Sequence, residues 1–599
     1  MIRIILFLLK SIVGLLASVG LLLVVVVLVG VFAWREAAET FDERIGFRTA
    51  EQALPESMML ELDLSPGVVE RQDGGFSAAA FGGPWQLADL IEAIEDAGQD
   101  PGVEGILLRL GAGELNIAQV QELRDALIAF RAEDKLVFGF AESFGEAGNG
   151  TLHYYLATAI DEIWLQPSGG LDLTGFLLEQ PYMREALAGL GITGRFGQRE
   201  EYKGAVDPLT RDAMSPAVRS NLDRLLASWR EQLAEAIADH RGIGLPEARR
   251  LIDNGPYLPA QALEAGLVDR LAYLDEIRGL AETHVERVSF QRYVNQREQP
   301  ETSADAPTVA LIYGIGPVVL GHNEGRSPFA GPDMQSGRIV EALMAAAEDP
   351  AVEAVVFRVD SPGGSYAASD AIWRAVAQVR ATGKPVVISM ASLAASGGYF
   401  VAAGADRIVA QPGTVTGSIG VVSGKFVLAD LWNDLEINWD GVQAGSNAAY
   451  WSANRNFTPD QWQKLQTGLS AVYEDFLETV AEGRGLEVAA VRDIAGGRVF
   501  TGADAAENGL VDALGGLTVA VAAAKEVAGI APETEVLLVE FPQEPRFQRF
   551  LRDLAGLQAD ATTLVRLAQV VDRLEPVLRM IGAFEAQGPQ MRVAPALEQ

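Results

Sequence analysis

The sequence predicts an α/β protein made of two tandem copies of one domain, preceded by one N-terminal transmembrane helix and followed by a helical tail. Three observations predict it. An uncharged stretch of 23 residues runs from Ile12 to Trp34. The segment Asp100–Arg109 reappears as Asp349–Arg358, 249 residues later. Within each copy, short apolar runs alternate with helical patterns, the mark of strands joined by right-handed helical crossovers.

The anchor comes first. About 20 apolar residues span a bilayer, so Ile12–Trp34 is long enough. A cleavable leader would have an apolar region of about 7–15 residues and a small-residue cleavage site. This one closes on Phe32-Ala33-Trp34-Arg35 instead. Arg3 and Lys10 precede the span without an acid, while Glu36, Glu39 and Asp42 follow it. The positive-inside rule places the N-terminus in the cytoplasm. In a bacterium, the body is then periplasmic and tethered to the inner membrane.

The repeat continues beyond its first match. Lys135-Leu136-Val137 matches Lys384-Pro385-Val386, Asp161–Pro167 matches Asp406–Pro412, and Gly266–Asp269 matches Gly509–Asp512. The offset drifts only from 249 to 243, so the chain carries a duplicated domain. In the second copy, Val309–Ile312, Ala354–Phe357 and Val386–Ser389 read as buried strands, with helices over Gly337–Glu348 and Ala367–Arg380. The resulting plan is an anchor over 1–45, a first repeat over 46–290, a polar linker over 291–307, a second repeat over 308–541 and a tail over 542–599. The tail has apolar residues at helical spacing from Phe550 to Leu578. Its readings are packing on the body or a sister subunit, and contact with the membrane surface helped by Arg546, Arg549 and Arg552.

Composition limits the chemistry. A net charge of −34 repels the phosphates of nucleic acid. With no cysteine there is no thiol nucleophile, disulfide or thiolate metal site, and four histidines leave little for a histidine-built one. Asp360-Ser361-Pro362-Gly363-Gly364-Ser365 follows a strand, and Ala394-Ala395-Ser396-Gly397-Gly398-Tyr399 lies in the next β–α unit. Paired glycines let backbone N–H groups face a ligand, as an oxyanion site requires. A serine at a strand-to-helix junction between small residues is uncrowded, which suits a nucleophile.

The first copy lacks both parts. Thr151 stands opposite Ser396, and Gly111–Leu115 stands opposite Asp360–Gly364. It has Lys203 where the second copy, at offset 243, has Ser446. These losses are reciprocal, as expected of an enzyme that divided one site between its halves. No histidine follows His322, and a carboxylate is a weak base for a hydroxyl. Of 47 basic residues 40 are arginine, which cannot deprotonate, whereas a desolvated lysine can serve. Ser–Lys pairs are an accepted nucleophile–base arrangement.

With Tyr202-Lys203, Asp360–Gly364, Ala395–Tyr399 and Thr416-Gly417-Ser418-Ile419-Gly420, the chain to about Phe541 resembles the long tandem-repeat signal peptide peptidases of bacteria (protease IV), serine peptidases of the Clp protease/crotonase fold. The resemblance implies Ser396 as nucleophile, Lys203 as general base and Ser418 as the group that orients the lysine. It implies an oxyanion hole from Gly363 or Gly364 together with Gly397, and no metal or cofactor. Its expected partners are signal peptides and other apolar peptides, the lipid bilayer, and sister subunits of a homotetramer. The tail is longer than the resemblance accounts for. Rival readings are a same-fold peptidase that trims other membrane proteins, a non-catalytic membrane scaffold, and a crotonase-like binder of acyl thioesters. Retention of both Ser396 and Lys203 speaks against an inert scaffold.

Overall fold

The computed structural model describes residues 53–71, 83–146, 148–282, 285–297, 306–321 and 332–542. The anchor segment, the tail beyond 542, and His284 and His322 lie outside the described residues. Among the described residues, no helix is long and apolar enough to cross a membrane. From Glu56 onward the described residues belong to one compact unit.

Two sheets organise this unit. In chain order the strands are β1 (Met58–Asp63), β2 (Val103–Leu110), β3 (Leu136–Ala141), β4 (Glu162–Leu165), β5 (Thr193–Arg199), β6 (Arg270–Leu271), β7 (Glu286–Ser289), β8 (Thr308–Ile315), β9 (Val352–Ser361), β10 (Val386–Ala395), β11 (Arg407–Ala410), β12 (Val415–Gly417), β13 (Val421–Val427), β14 (Val499–Thr501), β15 (Ala513–Leu514) and β16 (Leu537–Phe541). The first sheet has the order β6-β4-β3-β2-β1-β7 and is parallel throughout. The second runs β14-β12-β10-β9-β8-β16, with β11 on β10 and β15 on β11. Only its β12–β14 pair is antiparallel. Parallel strands need helices on both faces, which explains the near-continuous apolar runs of β8, β9 and β10.

The expected strands of the second copy lie within β8, β9 and β10, and its helices are Ser336–Glu348 and Tyr366–Ala381. The polar stretch after Phe290 begins as a helix, Phe290–Gln296, because Phe290 and Tyr293 are buried and Phe290 packs edge-on to Trp85 at 5.7 Å.

The matched residues do the same work in both copies. Lys135 Nζ donates to the carbonyls of Ala97 and Asp100, and Lys384 Nζ to those of Ala346 and Asp349. Asp161 accepts from Val137 N and Arg131, and Asp406 from Val386 N and Arg380. Tyr154 donates to Leu267 O, as Tyr399 does to Leu510 O.

The copies are fastened in two places. The first is buried: Arg358 of β9 donates to Glu70 Oε2 at 2.9 Å, to Glu122 Oε1 at 2.6 Å and to Ser389 Oγ at 2.9 Å. Glu122 also accepts from Leu517 N at 2.9 Å. Charges this deep are tolerated only when paired and fully hydrogen-bonded. The second is a ribbon in which β5 of the first copy pairs antiparallel with β13 of the second, from Thr193↔Val427 to Arg199↔Val421. Alongside it, Asn221 exchanges two hydrogen bonds of 2.8 Å with the backbone of Val499, and Trp229 Nε1 donates to Gly413 O.

Candidate active site

Ser396 stands where β10 ends and the helix Gly397–Ala402 begins, as its sequence context predicts. The turn is too sharp for ordinary backbone, so Ser396 takes φ 56° and ψ −118°. A left-handed non-glycine residue at a strand-to-helix corner marks stored strain of a kind concentrated at active sites. The corner is half-buried, and Ser396 N donates to Gly417 O at 2.8 Å. Ser396 Oγ makes no hydrogen bond among the described residues.

Gly363 faces this corner. It adopts φ +89°, and a Cβ there would lie 2.4 Å from Gly397 N and 2.8 Å from Ser396 Cβ, so any other residue would push the serine away. Its N–H is occupied, donating to Ser361 Oγ at 3.2 Å. Gly364 N–H and Gly397 N–H donate to nothing among the described residues. They converge, since a Cβ on Gly397 would fall 3.0 Å from Gly364 N. Of the two candidates, Gly364 rather than Gly363 therefore has its amide free. At the root of the loop, Asp360 accepts from Leu393 N at 3.0 Å. Burial, and then Glu70, pushes its carboxyl up to about 6.

Lys203 reaches this corner from the other copy. The β5–β13 ribbon carries it there: β5 ends at Arg199, and Ser418 lies three residues before β13 starts. Arg199 fastens the end of β5 to the helix Pro459–Arg484 through Gln466 and Ser470. Tyr202 N donates to Gly496 O, and the Arg498 guanidinium stacks 3.9 Å above the Tyr202 ring centre. The backbone of Gly497 is pressed so close that a Cβ on it would lie 2.5 Å from Lys203 N.

The lysine side chain is 4% exposed. Its Nζ donates to Ser418 O at 2.7 Å and to Ser418 Oγ at 2.9 Å. Burial, with no carboxylate to offset it, lowers the ammonium from 10.5 to about 7. Ser418 is itself left-handed, with φ 51°, and is pinned by its N–H to Arg498 O at 2.6 Å. Lys203, Ser418 and Ser396 thus form one cluster through Gly417, although no hydrogen bond joins Lys203 Nζ to Ser396 Oγ.

The structure shifts one alignment. The left-handed cap after the helix Arg184–Gly189, at Gly191, corresponds to Glu436 after the helix Ala429–Asp434. Carried forward at that offset of 245, Lys203 stands opposite Ala448 rather than Ser446. The loss of the base from the second copy is unaffected. Sequence reasoning missed the supporting residues Arg199, Asn221 and Arg498. Their partners are more than 200 residues away, so no local pattern reveals them.

A strained serine, free amides beside it and a desolvated lysine on a Clp-like α/β scaffold define a serine peptidase. The family model for Peptidase family S49 matches residues 142–287 and again 378–531, and that for Clp protease matches 332–414. The chain is 32% identical to Protease 4 of Salmonella typhi over 85% of its own length and 83% of that protein. It is 29% identical to the chloroplastic serine protease SPPA of Arabidopsis thaliana over 77% of this chain and 68% of that one. A protein of Enterococcus faecium named as a signal peptide peptidase SppA is 34% identical over 28% of this chain and 49% of its own. The chain belongs to peptidase family S49.

Proposed function

We propose that the chain is a membrane-anchored serine endopeptidase whose Ser–Lys dyad is split between its two repeats, and that it hydrolyses cleaved signal peptides at the membrane. The observation that carries this reading is the buried Lys203 amine, delivered from one repeat to Ser418 beside Ser396 of the other. A neutral amine has two N–H groups and one lone pair. Ser418 O and Oγ accept both N–H groups, so the lone pair is left for the Ser396 proton.

Ser396 Oγ attacks the peptide carbonyl carbon while Lys203 Nζ takes its proton. The Gly364 and Gly397 amides hold the oxyanion. Collapse breaks the C–N bond as Lys203 returns the proton to the leaving amine. Water, deprotonated by Lys203, then attacks the acyl ester, the C–O bond to Ser396 breaks, and the serine recovers the proton. Ser418 keeps the amine aimed.

Residues 12–34 form the single span, with the N-terminus cytoplasmic and the repeats periplasmic on the bacterial inner membrane. The repeats occupy 46–290 and 308–541, and the body assembles as a homotetramer. The printed name of the Enterococcus relative supports the substrate class. A fluorophosphonate tests the dyad, because it bonds to an activated serine oxygen with loss of fluoride. The label is expected on Ser396, and to disappear in Lys203→Ala. Label on another serine, or undiminished label in Lys203→Ala, would sink the dyad.

A further inference from the structure

The β5–β13 ribbon joins the first copy to the second within one chain, and each of its strands has a counterpart in the opposite copy. Before β5, the helix Arg184–Gly189 ends in left-handed Gly191 (φ 69°), and Ile192 N donates to Leu187 O at 2.9 Å. In the second copy, the helix Ala429–Asp434 ends in left-handed Glu436 (φ 57°), and Ile437 N donates to Trp432 O at 2.8 Å. The residues at the place of β5 are therefore 438–444. Before β13 comes Thr416-Gly417, with Gly417 at φ 77°. Its counterpart is Thr174-Gly175, with Gly175 at φ 75°, and the residues at the place of β13 are 177–183.

Both counterparts stand unused. Among the described residues, no backbone-to-backbone hydrogen bond involves 177–182 or 438–444. Their apolar side chains face solvent: Leu177 is 77% exposed, Trp439 49% and Val442 fully. An unpaired extended segment with exposed apolar side chains is a template for another strand. We infer that residues 438–444 of one copy of the chain pair antiparallel with residues 177–183 of a second copy, repeating between chains the ribbon that joins the repeats within a chain.

This contact is heterologous, one surface against a different one, so it propagates head to tail and closes into a ring. It gives the proposed homo-oligomer its interface and rests on that reading. It adds nothing to catalysis, because the residues it brings together flank the first copy's Thr151 corner, while Lys203 and Ser396 remain paired within each chain.

The register of the inner ribbon, where Val422 faces Gln198, sets Gln180 opposite Gln443 of the next chain. Paired Cα atoms in an antiparallel ladder lie about 4.5–5.5 Å apart, within disulfide reach. The chain has no cysteine, so the background is clean. Full-length Gln180→Cys and Gln443→Cys chains, purified in detergent micelles, mixed and mildly oxidised, are expected to give one covalent dimer that neither gives alone. The double variant is expected to give a ladder of higher species. Val442→Glu with Trp439→Glu is expected to dissociate the assembly while ester hydrolysis per chain is unchanged. Sedimentation as an oligomer without these cross-links, or a cross-link confined within single chains, overturns the contact alone. A wild-type chain that sediments as a monomer overturns the contact and the oligomer together.

Discussion

The two repeats share a fold and differ at one corner, and the difference shows what a catalytic corner requires. In the second copy, Ser396 is strained and half-buried, with two neighbouring amides uncommitted. In the first, Thr151 is fully buried; its hydroxyl donates to Gly175 O at 3.1 Å and accepts from Gly175 N at 3.0 Å. His153 fills the remaining space, accepting from Gly111 N at 3.3 Å on Nδ1 and bonding Gly113 O at 3.0 Å through Nε2. Where the second copy leaves donors open to a reacting carbonyl, the first satisfies them with its own side chains. Satisfied groups stabilise a fold and do no chemistry.

The largest expected effect is the loss of the active corner. Ser396→Ala and Lys203→Ala are each expected to lower kcat on an apolar peptide ester by ~10³-fold or more, with circular dichroism unchanged. Full activity in Lys203→Ala would break the assignment. Next is the join between repeats. Arg358→Met leaves Glu70 and Glu122 buried without a cation and is expected to cost about 3–5 kcal/mol in denaturant unfolding. An unchanged midpoint would mean that the cluster is not the fastening it looks like.

Smaller again, Ser418→Ala keeps the lysine but frees its aim, and kcat is expected to fall roughly 10–100-fold. The pH dependence sharpens the same point. Only the neutral amine accepts the serine proton, so kcat/KM should rise as pH passes about 7 and then level off. A flat profile from pH 5 to 10 would exclude a lysine base. The sign for stability follows the same shift. The unfolded lysine titrates at 10.5 and the folded one at about 7, so between these values the unfolded chain binds the extra proton. Stability contributed by this group therefore rises with pH across that window, and Lys203→Met should remove the rise. The smallest expected effect is none: Thr151→Ser in a Ser396→Ala background should restore no hydrolysis, because the hydroxyl stays bonded to Gly175.

The duplication was legible in the sequence because its repeated residues make local polar bonds that each copy needs, as with Lys135 and Lys384 or Asp161 and Asp406. Ser396 and Lys203 were legible because few residue types can act as nucleophile or base. The inter-repeat fastenings were not. Arg358 meets Glu70 across 288 positions, and a single long-range ion pair leaves no periodic trace. The β5–β13 ribbon is equally hidden, since Thr-Gly-Arg-Phe-Gly-Gln-Arg lacks the alternation that announces a strand. The choice between the Gly363 and Gly364 amides turned on the Ser361 hydroxyl, which lies in the same motif but is placed only by the folded loop.

Dividing the dyad between repeats also orders events during synthesis. Lys203 leaves the ribosome first, but Ser418 is held by the carbonyl of Arg498, 295 residues after Lys203. At about 5–20 residues per second, that separation lasts roughly 15–60 s. Throughout it the growing chain carries a base without a nucleophile, and then a nucleophile whose base is unaimed. A peptidase threaded through the membrane among other nascent proteins is thus inert until nearly all of it has been made.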